Sequence, residues 1–105
     1  MNAQFKKGVL ELCVLMMISR RDYYGYELVE EISKDLEISE GTLYPILRRL
    51  TEEKNLETYL QESSEGPPRK YYRITKLGRE FQKDQFKQWL EFNQQIERLI
   101  GREIK

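Results

Sequence analysis

The spacing of apolar positions changes along the chain, and each change marks a new element. Over residues 8–19 apolar side chains fall on nearly every side, from Val9, Leu10 and Leu12 through Val14, Leu15, Met16, Met17 and Ile18. Period alone does not separate helix from strand there, but the length of the run favours a buried helix. Residues 24–33 set Leu28, Val29 and Ile32 against Glu27, Glu30 and Glu31, the pattern of a short amphipathic helix. After a brief connection over 34–38, Ser39 stands where a hydroxyl would take an unpaired amide proton of the next helix. That helix, predicted over about 40–54, places Leu43, Ile46, Leu47 and Leu50 at i, i+3, i+4 and i+7. Its other face shows Tyr44, Arg48, Arg49 and Glu52, and Asn55 suits the left-handed position at its end. Residues 57–62 and 69–74 read as two strands of a hairpin around a Gly66-Pro67-Pro68 turn, with Thr58, Tyr59, Tyr71, Tyr72 and Ile74 as strand formers. Thr75 is placed to cap a last, long helix that runs to about residue 101.

Three short helices, a two-stranded ribbon and a long helix predict a mainly α fold with a small β-hairpin. This is the plan of a winged helix-turn-helix over residues 1–75, followed by a C-terminal dimerisation helix over 76–105. In that plan the third helix enters the major groove of DNA and the hairpin, or wing, lies along the phosphates.

Composition narrows the chemistry. A chain of 105 residues supports one small domain, and pairing with a second copy is a common way to stabilise a core of this size. Basic and acidic residues balance at 18 each, so only a local cluster of cations could favour nucleic acid. There is no histidine, which removes the commonest general base and metal ligand. One cysteine, Cys13, excludes an internal disulfide and a multi-cysteine metal site, and its apolar surroundings predict a small buried hydrophobe. The apolar run 9–18 is about half a membrane span and contains Glu11, so no transmembrane segment is expected. Lys6 and Lys7 before it are not followed by a small-residue cleavage site, and a cytoplasmic protein is expected.

Two stretches carry candidate DNA contacts. At the start of the third helix, Gly41 permits close backbone approach and unpaired amides there can hold a phosphate. Ser39, Thr42, Tyr44, Arg48 and Arg49 offer hydroxyls and guanidinium groups to phosphates or base edges. An ordinary amphipathic helix with a solvated polar face would show the same periodicity. On the hairpin, Arg69, Lys70, Arg73 and Lys76 fall within eight residues with no acid among them, and Tyr71 and Tyr72 interleave. Arg69, Lys70 and Tyr72 are the candidate contacts there, and binding through such a patch weakens with salt. A charged hairpin facing water is the alternative.

In the last helix Gln85, Trp89, Phe92, Ile96 and Leu99 step by 4, 3, 4 and 3, a heptad seam with Phe86 and Ile100 beside it. A helix this long cannot bury such a seam on a three-helix core. Trp89, Phe92, Ile96, Leu99 and Ile100 are therefore assigned to a homodimer interface, and a two-fold dimer would read half-sites about 34–36 Å apart. The helix could instead fold back onto its own domain.

The sequence resembles the PadR family of bacterial transcriptional regulators. The resemblance rests on Tyr24-Gly25-Tyr26-Glu27-Leu28, on residues 41–50 (Gly41-Thr42-Leu43-Tyr44-Pro45-Ile46-Leu47-Arg48-Arg49-Leu50), and on residues 69–78 from Arg69-Lys70-Tyr71-Tyr72 to Gly78. It spans about residues 8–100. It implies a repressor that dimerises through its last helix, with DNA contacts at Ser39, Thr42, Tyr44 and Arg48 and at the wing residues Arg69 and Lys70. The single terminal helix is similar to the short-chain branch, whose multidrug-sensing members stack flat aromatic ligands on a tryptophan at the dimer centre. Trp89 falls at the matching place, with Phe86, Asn93 and, from the first helix, Leu15 as further ligand-binding candidates. Glu40 stands where the family usually has proline, and Asn55 where it often has glycine.

The expectation is a non-enzymatic regulator that binds a palindromic operator as a homodimer. Its partners are double-stranded operator DNA, a second copy and a planar aromatic inducer. No catalytic residues, metal site or cofactor are expected. A winged-helix module that binds protein rather than DNA is the alternative.

Overall fold

The computed structural model describes residues 3–104, with side chains over 7–101; the ends of the two expected segments, residues 1–2 and 105, lie outside it. The order is α1 (Ala3–Arg20), β1 (Tyr23–Tyr24), α2 (Gly25–Ser33), α3 (Glu40–Glu52), β2 (Leu56–Ser63), β3 (Gly66–Ile74) and α4 (Lys76–Ile104). The chain is mainly helical with a small sheet, the winged-helix plan with a C-terminal helix.

The hairpin is in fact part of a three-stranded antiparallel sheet in the order β1-β3-β2. Tyr23 pairs with Tyr72 and Tyr24 with Tyr71, so α2 starts at Gly25 rather than Tyr24. Two residues are too few to show a strand period, which is why β1 escapes pattern reading. The wing turn also falls earlier than expected, at Ser64 and Glu65. Pro67 and Pro68 lie inside β3, where the ladder with β2 is irregular between Gln61 and Ser63 and β1 does not reach, so neither proline removes a needed donor.

The core joins α1, α2, α3 and one face of the sheet. Val14, Leu15, Ile18, Leu28, Leu43, Ile46, Leu47, Leu50 and Leu56 are fully buried, and Leu10, Ile32, Tyr23, Tyr72 and Ile74 close the cluster. The i, i+3, i+4, i+7 stripe of α3 is thus the stripe that packs. Cys13 is half-buried, and that burial raises its thiol pKa.

Helix α3 ends in a left-handed residue, but it is Lys54 (φ 68°), not Asn55. The amide of Lys54 donates to the Thr51 carbonyl at 3.0 Å and that of Asn55 to the Leu50 carbonyl at 2.9 Å, a Schellman closure. The register puts the left-handed position one residue earlier because the helix stops at Glu52 with Glu53 as its C-cap. Asn55 is instead buried, and its carbonyl accepts the Thr75 amide at 3.1 Å. Thr75 caps α4 as expected: its Oγ1 accepts the Gly78 amide at 2.9 Å and donates to the Lys54 carbonyl at 2.6 Å.

Helix α4 packs on α1 through its first half, where Phe81 joins the core margin, and then runs on with Trp89, Leu90, Phe92, Leu99 and Ile100 exposed. No described helix is long and apolar enough to cross a membrane, and no cluster of potential metal ligands occurs among the described residues.

Candidate nucleic-acid interface

Helix α3 and strand β3 each present cations without carboxylate partners. Among the described residues, Arg48 on α3 and Arg69 and Lys70 on β3 are exposed and lie in no ion pair, whereas Arg21, Lys34, Arg49 and Arg73 are each paired. Equal totals of acid and base therefore conceal an uneven distribution. The carboxylates Glu27, Glu31, Glu11, Glu53 and Glu57 pair with other cations, and none of them pairs with these three.

On α3, Ser39 occupies the N-cap position with extended backbone, yet its hydroxyl makes no bond to a helix amide. It lies 3.2 Å from the Thr42 hydroxyl instead, so the first-turn amides keep no side-chain cap from Ser39. The exposed Gly41 has only Ser39 Oγ near its Cβ direction, at 3.8 Å, which leaves the helix start open to approach. Pro45 lies inside the helix on its exposed side, where loss of one backbone bond leaves a carbonyl that water can serve.

Tyr44 is half-buried, its ring pressed over Gly25 at the start of α2. Burial, with the Glu40 carboxylate adding to it, holds its phenol above the ordinary pKa. Tyr72 is a core residue, only 7% exposed, because the alternation of β3 turns it inward beside Tyr23 and Ile74. Burial and the neighbouring Tyr44 raise its pKa, and Arg48 partly offsets the rise. Its expected role as a DNA contact is corrected accordingly: Tyr72 forms the floor under Lys70, whose Nζ lies 5.8 Å from its ring centre. Arg49 is likewise turned away from the exposed face of α3, where its neighbour Arg48 projects. Its guanidinium pairs with Glu11 of α1 and lies 3.5 Å from Glu53.

The outer face of the sheet brings together three tyrosines that lie far apart in the sequence. Tyr24, Tyr71 and Tyr59 form a row across the three strands, with ring centres 5.6 Å and 5.5 Å apart. Tyr59 donates to Asp22 Oδ2 at 2.6 Å, and Arg69 and Arg73 lie over Tyr24 and Tyr59 at 4.6 Å and 4.9 Å. The row fastens the base of the wing to the α1–α2 junction and gives Arg69 an aromatic rest. Tyr59 and Tyr71 are legible in the sequence as strand formers, but the partner strand β1 that completes the row is not.

At the other end of the molecule, α1 and α4 enclose an open groove of about 720 Å³ lined by Gly8, Val9, Leu12, Gln85, Gln88, Trp89, Phe92, Asn93 and Ile96. Phe86 stacks on Trp89 at 6.1 Å, and the Asn93 side-chain amide donates to the Trp89 carbonyl at 2.8 Å. Leu15 does not reach this groove. It is fully buried in the core and touches only a small recess beside Phe81 and Gln85, because α1 turns Val9 and Leu12 toward Trp89 instead. Phe92 and Leu99 are 60% and 67% exposed, and Ile100 is exposed beside them, so this outer part of the seam lies open among the described residues.

The model of the "Transcriptional regulator PadR-like family" matches residues 14–84. The fold is similar to a crystal structure of a PadR-like transcriptional regulator from Bacillus cereus (41% identity, 92% of this chain and 96% of that one, TM-score 0.83). It is also similar to a Streptococcus transcriptional regulator (37% identity, 91% and 96% covered, TM-score 0.82). Among curated proteins, a transcriptional regulator of Mycobacterium tuberculosis is 34% identical over 77 residues, covering 72% of this chain and 71% of its own. These relatives are transcriptional regulators, not enzymes. With the family match spanning both α3 and the wing, the chain belongs to the PadR-like family of transcriptional regulators.

Proposed function

We propose that this regulator represses transcription by binding a palindromic operator as a homodimer. The observation that carries the reading is the set of unpaired cations, Arg48, Arg69 and Lys70, on the two elements that a winged helix applies to DNA. In this reading α3 enters the major groove, with Ser39, Thr42 and Arg48 toward base edges and phosphates and the Tyr44 hydroxyl at the rim. Arg69 and Lys70 neutralise phosphates along the wing. The protein acts in the cytoplasm, where the operator is.

The second copy covers the α4 seam of Trp89, Phe92, Ile96, Leu99 and Ile100. Exposed apolar side chains over several turns of one helix are the surface that two-fold pairing buries. The groove beside Trp89 suits a planar aromatic inducer. An indole offers a large stacking face with few rotors to freeze, and Asn93, Gln85 and Gln88 supply polar edges. Such a ligand relieves repression by favouring a dimer whose two α3 helices no longer match the half-site spacing.

Nuclease footprinting on the DNA upstream of the protein's own gene tests the reading. Two protected half-sites with centres about 34–36 Å apart, one helical turn, support it. A single uninterrupted tract without two-fold symmetry, or no protection at low salt, contradicts it.

A further inference from the structure

The two adjacent arginines on α3 sit in different surroundings. Arg48 is exposed and unpaired, whereas Arg49 reaches the opposite way, to Glu11 in the middle of α1. The Glu11 side chain is only 19% exposed and the Arg49 side chain 40%, so the pair is shielded from solvent on its α1 side. Arg49 Nε is buried and makes no hydrogen bond. Its charge there is balanced only by Glu53, 3.5 Å away at the C-cap of its own helix. The guanidinium thus sits between a carboxylate on α1 and one at the end of α3.

Glu11 is also placed to report on the far end of the molecule. It lines the recess formed with Gly8, Leu12, Phe81 and Gln85, and Gly8, Leu12 and Gln85 also line the Trp89 groove. A change in how α1 sits against α4 therefore moves the carboxylate that holds α3.

We infer that Arg49 is a positioning residue: it touches no DNA, and through Glu11 it ties the seat of α3 to the helix that walls the Trp89 groove. The inference rests on the DNA-binding reading for its consequence, but not for its geometry. The two predict opposite signs for Glu11→Gln. Removing an acid from a DNA-binding protein tightens binding electrostatically. Removing the anchor of the recognition helix weakens it.

The test uses the full chain as wild type, Glu11→Gln, Arg49→Gln and the double variant. Affinity for the upstream DNA is measured against salt, and backbone amide exchange is followed along α3. The inference expects each single change to weaken binding about three- to tenfold, with the double no weaker than either single. It also expects an unchanged salt slope, and faster exchange of the α3 amides in Glu11→Gln. If Arg49→Gln lowers the slope by about 0.9 per copy, or Glu11→Gln tightens binding or leaves it unchanged, Arg49 is a phosphate contact and the inference fails. Should Arg49→Gln not fold, Glu11→Gln decides alone. Should the wild type bind no DNA, the functional reading fails separately, and exchange along α3 still decides whether Glu11 holds that helix.

Discussion

The Tyr44 ring lies directly over Gly25: a Cβ built on the glycine would meet Tyr44 Cε1 at 2.6 Å and the hydroxyl oxygen at 2.9 Å. The α2–α3 angle, and with it the presentation of Thr42 and Arg48, depends on a side chain that is absent. Gly25→Ala should displace the ring and destabilise the protein by about 1–3 kcal/mol, the usual range for overpacking. Because the clashing atoms are the far end of a side chain, Tyr44→Ala in the same chain should recover most of that loss. A double-mutant cycle from thermal melts measures the recovery.

Gly78 makes a harsher version of the same contact. Its Cβ would come within 2.0 Å of the Asn55 carbonyl oxygen, which is backbone and is held by the Thr75 amide. Nothing there can swing aside. Gly78→Ala should therefore cost about 3 kcal/mol or more, exceed Gly25→Ala, and resist rescue by any side-chain truncation nearby. Denaturant melts of the two alanine variants side by side give the comparison.

Alkaline stability follows from the tyrosines. Burial raises the pKa of Tyr72 and Tyr44 above the ordinary 10.0, and a hydrogen bond to Asp22 raises that of Tyr59. A phenol with a raised folded pKa stabilises the native state fully while it is protonated in both states. As pH climbs past 10.0 the unfolded chain ionises first, so stability falls until the folded value is passed. Melting temperatures should hold to about pH 9 and then drop, and Tyr72→Phe should flatten the drop because phenylalanine has no proton to lose.

The exposed seam predicts an association defect separable from folding. Phe92 is 60% exposed in the single chain, so Phe92→Glu removes little from the core and places a charge in the proposed interface. Sedimentation should show wild-type dimers and Phe92→Glu monomers at the same concentration, with melting of the monomer still cooperative.

Quenching of the single tryptophan tests the groove. Planar aromatic cations or neutral polycycles should quench Trp89 fluorescence saturably, and Asn93→Ala, which removes the bond to the Trp89 carbonyl, should weaken that quenching several-fold. Quenching that rises linearly without saturation would mean collision and no site.

Much of this molecule is legible from spacing, and the exceptions have definite causes. The core stripe of α3 was readable because Leu43, Ile46, Leu47 and Leu50 repeat at helical period, and packing follows that period directly. The Thr75 cap was readable because a hydroxyl before a helix has one dominant use. Strand β1 was not, since Tyr23 and Tyr24 acquire strand geometry only by pairing with residues nearly fifty positions later. Ser39 sits at its expected position but turns to Thr42, a local choice between two hydroxyl partners that position does not dictate. Arg48 and Arg49 are equivalent in pattern and opposite in environment, because the discriminating partner, Glu11, is distant in sequence. Tyr72 stands in the basic stretch of the wing and Leu15 on the groove-lining helix α1, but alternation in β3 and the turn of α1 bury both.

The most direct test of DNA recognition by α3 and the wing is the salt dependence of operator binding, compared between wild type and Arg69→Ala/Lys70→Ala. If each cation neutralises one phosphate in each copy of a dimer, the wild type should bind with a steep negative slope of log affinity against log salt. The double variant should bind more weakly, with a slope shallower by about 3.6, or 0.9 for each of about four lost phosphate contacts. An unchanged slope would place the wing off the DNA and contradict the account.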